Sequence, residues 1–232
     1  MSNLYSKFEI LRYLKPRISN FRIPKISSFN AKSINIMSSK LIDNINKEYQ
    51  SKSVAIRSSA ADEDGHTSTS AGEYASVLNI PSNNPEKITE AINTVIASYE
   101  KKRPLLPDDE VIIQEMVQNT TMSGVIFTHD LNTGAPYYVI NYDDQSGLTD
   151  TVTSGGGEYA NRTLYVHRNS IDNLRSDRFT KLLQAVQELE QVMESKFLDI
   201  EFALGKDLTP YLLQVRAITT KPNWNRAVSR RI

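Results

Sequence analysis

The sequence predicts an α+β chain with mainly antiparallel sheets, divided into two lobes. Two observations carry this. Amphipathic helical stretches alternate with short apolar runs in the first half of the chain. The middle then turns to β-branched and aromatic runs separated by turn residues, which is the pattern of an antiparallel meander.

The elements follow in order. Ser6 to Leu14 places Ile10, Leu11 and Leu14 on one helical face, and Pro16 ends it. Phe21 to Ile23, before Pro24, is a short extended piece. From Asn30 a second helical pattern sets Ile34, Met37, Leu41, Ile42 and Ile45 at helical spacing. Ser53 to Ile56 reads as a strand that enters a polar loop from Arg57 to Gly72, and Ala75 to Ile80 returns from it. Pro85 to Tyr99 is an amphipathic helix carrying Ile88, Ile92, Val95, Ile96 and Tyr99. Val111 to Val117, Gly124 to Thr128 and Tyr137 to Tyr142 form the expected meander. A stretch rich in Gly, Ser, Thr and Asp, from Asp143 to Asn161, has the composition of a functional or disordered loop. Leu164 to His167 is a strand and Phe179 to Met193 a helix; Leu198 to Ala203 and Tyr211 to Val215 are the closing strands. The joint between lobes is expected near Asp108 to Gln118, giving lobes at 1–108 and 109–220 and a basic tail at 221–232.

Bulk properties narrow the function. The chain has 232 residues, enough for a core in each lobe. Lysine plus arginine balance aspartate plus glutamate, 27 against 27, which argues against a nucleic-acid coat. No apolar run reaches the roughly 20 residues of a membrane span. With no signal-peptide pattern near Met1, the expected compartment is cytoplasmic. The absence of cysteine excludes disulfides and thiolate chemistry.

Three places could carry chemistry. Asp199 and Glu201 are two apart on a strand, so both carboxylates project from one face; Gln214 and Arg216 stand in the same relation on the next strand. If those strands pair, an oxygen-rich set suited to Mg²⁺ and an arginine suited to polyphosphate converge. The alternative is an exposed face with cross-strand ion pairs. In the loop after the first strand, Arg57 supplies charge, and the small residues from Thr67 to Gly72 let backbone N–H groups approach an anion. No Walker A pattern is present, and a solvated surface loop has the same composition. Gln114-Glu115-Met116-Val117 could frame an adenine ring, or could be an ordinary strand with Met116 in the core. The histidines fall outside any metal spacing. His129 and His167 read as structural or exposed, and His66 as a phosphate contact.

Together these blocks resemble the nucleotide-binding domain of the phosphoenolpyruvate synthase and pyruvate phosphate dikinase family. The resemblance runs through Val54-Ala55-Ile56-Arg57-Ser58-Ser59-Ala60, Glu63-Asp64 and Ala71-Gly72 to Leu78-Asn79-Ile80. It continues in Gln114-Glu115-Met116-Val117, in Ser123-Gly124-Val125-Ile126-Phe127-Thr128 with Asp130 and Thr133-Gly134, and in Asp199-Ile200-Glu201 with Leu213-Gln214-Val215-Arg216. It implies a two-lobed ATP-grasp fold that clamps ATP. It also implies roles. Arg57 and Arg216 would meet the phosphates. Thr69, Ser70, Ala71, Gly72 and Glu73 would close over them, and Gln114, Glu115, Met116 and Val117 would frame the adenine. Glu201 and Gln214 would bind Mg²⁺ with Asp199 close by. Lys7 stands where the family has the lysine of a G-G-K motif, with Tyr5 and Ser6 in place of the glycines. Gly147-Leu148-Thr149-Asp150 stands for the family's G-L-G-E.

Members of this family pass phosphoryl groups from ATP to a histidine on a swivelling domain, which visits a separate acceptor domain. Neither partner fits in 232 residues, so the expected form is one piece of a longer enzyme or one component of a split system. Within the family the sequence is similar to L-glutamine kinases of capsular phosphoramidate synthesis, which phosphorylate the glutamine side-chain amide and release AMP and phosphate. A pyruvate-directed enzyme of the phosphoenolpyruvate synthase kind and a non-catalytic nucleotide-sensing module are the alternatives.

Overall fold

The computed structural model describes residues 6–60, 74–147, 149 and 162–218. The chain divides into two compact units. One comprises Leu4–Glu9 with Pro24–Met116; the other comprises Ile10–Ile23 with the chain from Val117 on. The later division falls at Met116/Val117, and the strand that follows Asp109 belongs to the first unit's sheet.

In the first unit, β1 (Ile26–Asn30), β2 (Ser53–Ser59), β3 (Ser76–Pro81) and β4 (Glu110–Glu115) form a four-stranded sheet in the order β1-β4-β2-β3. Every pairing in it is antiparallel. Helices α2 (Ile34–Tyr49) and α3 (Pro85–Glu100) supply its core. Asn84 caps α3 by accepting the Lys87 N–H, and Pro85 follows at the first helical position, where its missing N–H costs nothing. Ile88, Ile92, Val95 and Tyr99 then recur at helical spacing and are buried with Ile45 and Tyr49 against Val54, Ile56, Val111 and Ile113. Each fully buried aliphatic side chain of this kind contributes roughly 1.5–3 kcal/mol. The Tyr99 hydroxyl donates to the Glu110 carbonyl at 2.6 Å and accepts the Ser59 N–H at 2.7 Å, so it joins α3 to β2 and β4.

Two expectations are corrected here. Val111 to Val117 does not begin a meander: β4 pairs with β1 and β2, and the strand ends at Glu115. The missed β1 is ISSFN, whose adjacent serines hide any apolar alternation; it forms because β4 offers it an antiparallel edge. Asn30, expected to begin a helix, instead caps a short 3₁₀ turn (Ala31–Ser33) that leads into α2.

In the second unit, β5 (Thr120–Phe127), β6 (Tyr137–Asp143), β7 (Arg162–His167), β8 (Leu198–Gly205) and β9 (Pro210–Ala217) form an antiparallel sheet in the order β7-β6-β5-β8-β9. Helix α4 (Asp177–Val192) buries Phe179, Leu182, Leu183, Val186 and Leu189. A buried network ties it to the sheet. Arg168 donates to both oxygens of Glu190, each at 2.7 Å, and to the Thr128 carbonyl, while the Tyr138 hydroxyl donates to Glu190 Oε2 at 2.9 Å. The Arg168 guanidinium also lies 4.5 Å from the Tyr138 ring centroid. The Glu188 carboxylate accepts the Ser19 and Asn20 N–H groups and the Ser19 hydroxyl. Arg22 bridges Tyr211 and so pairs the outer edge of β9. Helix α1 (Lys7–Leu14) starts one residue later than the sequence suggests, with Ser6 in the capping position.

Candidate functional site

Alternation along β2 and β4 sorts their side chains. Val54, Ile56, Val111 and Ile113 join the helical core, so Arg57, Ser59, Glu110, Ile112 and Gln114 take the opposite face. Arg57 sits opposite Ile112, diagonally from Gln114, and its Nη1 donates to Gln114 Oε1 at 3.3 Å. Gln114 is buried and Arg57 half-buried. Glu115 belongs to the other face and receives Lys52 Nζ at 2.7 Å. Met116 is buried and donates its N–H to the Ser53 carbonyl, so it lies within the sheet's hydrogen-bonding reach as well as its packing. Thr69, Ser70, Ala71, Gly72 and Glu73 lie outside the described residues, as do His66 and Asp150.

On the same face of the sheet lies a polar cluster that periodicity does not reveal. Glu110 Oε1 accepts the Ser28 hydroxyl at 2.9 Å, and Oε2 accepts the Ser6 hydroxyl at 3.0 Å. Ser6 and Glu9 form a reciprocal capping box at the start of α1, with the Ser6 N–H donating to Glu9 Oε2 and the Glu9 N–H to Ser6 Oγ. Lys7, half-buried, is the first residue of that helix.

In the second unit β8 and β9 pair, the condition on which the closing strands' side chains converge. Glu201 lies opposite Gln214, and Asp199 lies opposite Arg216. Continued across the sheet, one row reads Asn141, Val125, Glu201, Gln214 and the next Val139, Phe127, Asp199, Arg216. This face is turned away from α4, because Tyr138 and Tyr142, on the alternate positions of β6, meet Glu190 and Phe179 of that helix. Leu213 is the extra residue where the β9 register shifts, between Gln214 opposite Glu201 and Leu212 opposite Phe202. A bulge here bends β9 next to Gln214. Asn141 belongs to the row without having been expected there; its Oδ1 accepts the Thr163 hydroxyl at 2.8 Å. One asparagine in the run Tyr137–Asp143 gives no signal of its own.

Arg216 donates from Nε and Nη2 to one Asp199 oxygen, Oδ2, at 2.8 and 2.5 Å. Burial pushes the Asp199 carboxyl above its ordinary range, a tendency that Arg216 opposes and Glu201 reinforces. Like charges on one strand face disfavour joint ionisation, and a nearby cation would lessen that cost. The donor set of Glu201 carboxylate and Gln214 amide suits a hard divalent ion that keeps phosphate or water oxygens. Among the described residues no group of three or more His, Asp or Glu could hold a metal alone. His129 is buried, bonded through Nδ1 to the Lys196 carbonyl and packed on Phe197 at 4.5 Å; its role is structural. His167 caps a 3₁₀ turn by accepting the Asn169 N–H and meets Tyr137 edge-on. Among the described residues no helix is long and apolar enough to cross a membrane.

Comparison with known proteins bears on the fold and the family. A curated relative, the prodigiosin synthesizing transferase PigC of Serratia marcescens, is 27% identical over 209 residues, covering 73% of this chain. This chain spans only 23% of that relative's length. Among solved structures, PH1788 from Pyrococcus horikoshii superposes with a TM-score of 0.55 at 13% identity, covering 94% of this chain and 92% of that one. D-cycloserine synthetase DcsG gives 0.51 at 8% identity, over 94% of this chain and 63% of that one. D-alanyl-alanine synthetase A from Vibrio cholerae gives 0.50 at 14%, over 91% and 54%. At such identities the likeness speaks for the fold alone, and that fold is the α+β ATP-grasp fold. The family model described as pyruvate phosphate dikinase, AMP/ATP-binding domain, matches residues 31–156, which include Arg57 and Gln114 and stop short of β8 and β9. That match spans more than half of the 232 residues, and the chain therefore belongs to the pyruvate phosphate dikinase AMP/ATP-binding domain family.

Proposed function

We propose that this chain is the Mg-ATP-binding domain of a dikinase-type phosphotransferase. In this reading ATP yields AMP; its two outer phosphoryl groups leave through a histidine on another domain, one passing to the acceptor and the other to water, which releases it as phosphate. The acceptor we propose is the side-chain amide of L-glutamine, as in capsular phosphoramidate synthesis. The observation that carries the reading is the cross-strand set on β8 and β9, with Glu201 opposite Gln214 and Asp199 opposite Arg216. Family membership and the 27% identity to a transferase support the reaction class.

The roles follow from chemistry. Glu201 and Gln214 would hold Mg²⁺, with Asp199 beside them. A Mg²⁺ ion held by these residues would supply positive charge to offset that of the phosphates. Arg57, Arg216 and Lys7 would neutralise the charge that moves with the phosphoryl group, and Gln114, through its bond to Arg57, would hold that guanidinium in place. Gln114 to Val117 would frame the adenine, and Thr69 to Glu73 would cover the phosphates. Catalysis of this kind is positioning plus electrostatics.

Calorimetry with Mg-ATP tests the reading. The wild-type chain binds, and Arg57→Ala and Glu201→Ala each weaken binding at least about tenfold, the scale of one lost charged contact. Wild-type affinity in both variants, with the fold intact by circular dichroism, would defeat it.

A further inference from the structure

Lysine at the first position of α1 is a poor choice for helix stability. The N-terminus carries the positive end of the helix dipole, and a cation there costs a helix some stability. The flanking residues are built to hold this start of the helix in place. Ser6 uses its N–H on Glu9 Oε2, accepts the Glu9 N–H at its hydroxyl, and donates that hydroxyl to Glu110. Glu110 is 104 residues away in sequence and fixed on every side. Its backbone sits between Ser59 of β2 and Asn30 of β1, its carbonyl accepts from Tyr99, and its second carboxylate oxygen takes Ser28. Glu110 shares a sheet face with Arg57, at the diagonal position beside Ser59.

We propose that Ser6 and Glu110 are positioning residues that fix Lys7 at the sheet face carrying Arg57, so that two cations are presented to one polyanionic ligand. The proposal rests on the phosphate-binding reading of Lys7 and Arg57. The Ser6 hydroxyl-to-Glu110 bond supplies this tie one peptide unit from Lys7. Glu110→Gln takes the charge from that tie while the Ser6–Glu9 capping box stays in place.

The test is Mg-ATP calorimetry on the full 232-residue chain and its variants, with folding followed by circular dichroism and thermal melting. Ser6→Ala and Glu110→Gln each weaken Mg-ATP binding about tenfold, the scale of one lost charge-assisted hydrogen bond. Ser6→Thr, which keeps the hydroxyl, binds as wild type. Lys7→Ala weakens binding at least as much, and Ser6→Ala added to Lys7→Ala weakens it no further, because the serine acts only through the lysine. The proposal is overturned if Ser6→Ala leaves affinity unchanged, if its effect adds fully to that of Lys7→Ala, or if Lys7→Ala itself is silent. Those outcomes leave the phosphotransferase reading standing so long as Arg57→Ala weakens binding at least about tenfold. Wild-type affinity in Arg57→Ala together with Glu201→Ala removes that reading instead.

Discussion

Arg216 spends two of its donors, Nε and Nη2, on a single oxygen of Asp199 across the β8–β9 ladder. The guanidinium is thereby fixed in orientation while its remaining N–H groups stay geometrically preset, and one carboxylate oxygen is withdrawn from other service. Asp199→Asn keeps the shape but weakens the charge-assisted bonds. We expect Mg-ATP affinity to drop several-fold in that variant and further in Arg216→Ala, whereas Arg216→Lys, lacking the planar fork, fails to restore it. Titration calorimetry of the three variants checks the order; equal affinity in Arg216→Lys and wild type would contradict it.

Gly124 is demanded by its neighbours rather than by its own backbone. A Cβ there would stand 2.0 Å from the Asn141 carbonyl oxygen and 2.8 Å from the Tyr142 Cα, both backbone atoms of the paired strand β6. Neither can swing aside as a side chain would. Gly124→Ala should cost about 3 kcal/mol or more, the upper end of overpacking, by separating β5 from β6. Urea denaturation measures this directly.

Glu190 is buried beside Arg168 and accepts from Tyr138. Glu190→Ala leaves a largely buried guanidinium without its carboxylate, and about 3–5 kcal/mol of stability should go with it. Tyr138→Phe removes one hydrogen bond and should cost about 1 kcal/mol. A Glu190→Ala variant melting within a degree of wild type would show that the pair is not the fastening between α4 and the sheet.

Glu188 gives a pH signature. Partial burial pushes its carboxyl up, but the hydrogen bonds from Ser19 and Asn20 outweigh this and hold it below the ordinary carboxylate range. A depressed folded-state value means that the stabilisation is present above the unfolded value of about 4.3 and is lost as pH falls through the folded one. The stability gap between wild type and Glu188→Gln should therefore be full at pH 6 and close below about pH 4. Melting curves across that range decide it; a gap that stays constant would contradict the assignment.

The helices are legible in the sequence because periodicity is a local property. Ile88, Ile92, Val95 and Tyr99 announce α3, and its core face is the face they mark. The two-residue spacing of Asp199 to Glu201 and of Gln214 to Arg216 likewise puts each pair on one side of its strand, whatever that strand pairs with. Pairing is not local. Nothing in ISSFN or EVIIQE says that these strands are neighbours, or that β4 leaves the apparent meander to join β2; the order β1-β4-β2-β3 depends on loop closure and on a core assembled from distant residues. The bulge at Leu213, the commitment of Arg216 to Asp199 and the bond from Ser6 to Glu110 belong to the same class. Sequence alone determined which residues carry charge and oxygen on which side of an element. Tertiary structure decided which of them meet, because hydrogen bonds reach only about 3 Å and their partners sit on different elements, as Ser6 and Glu110 do across 104 residues.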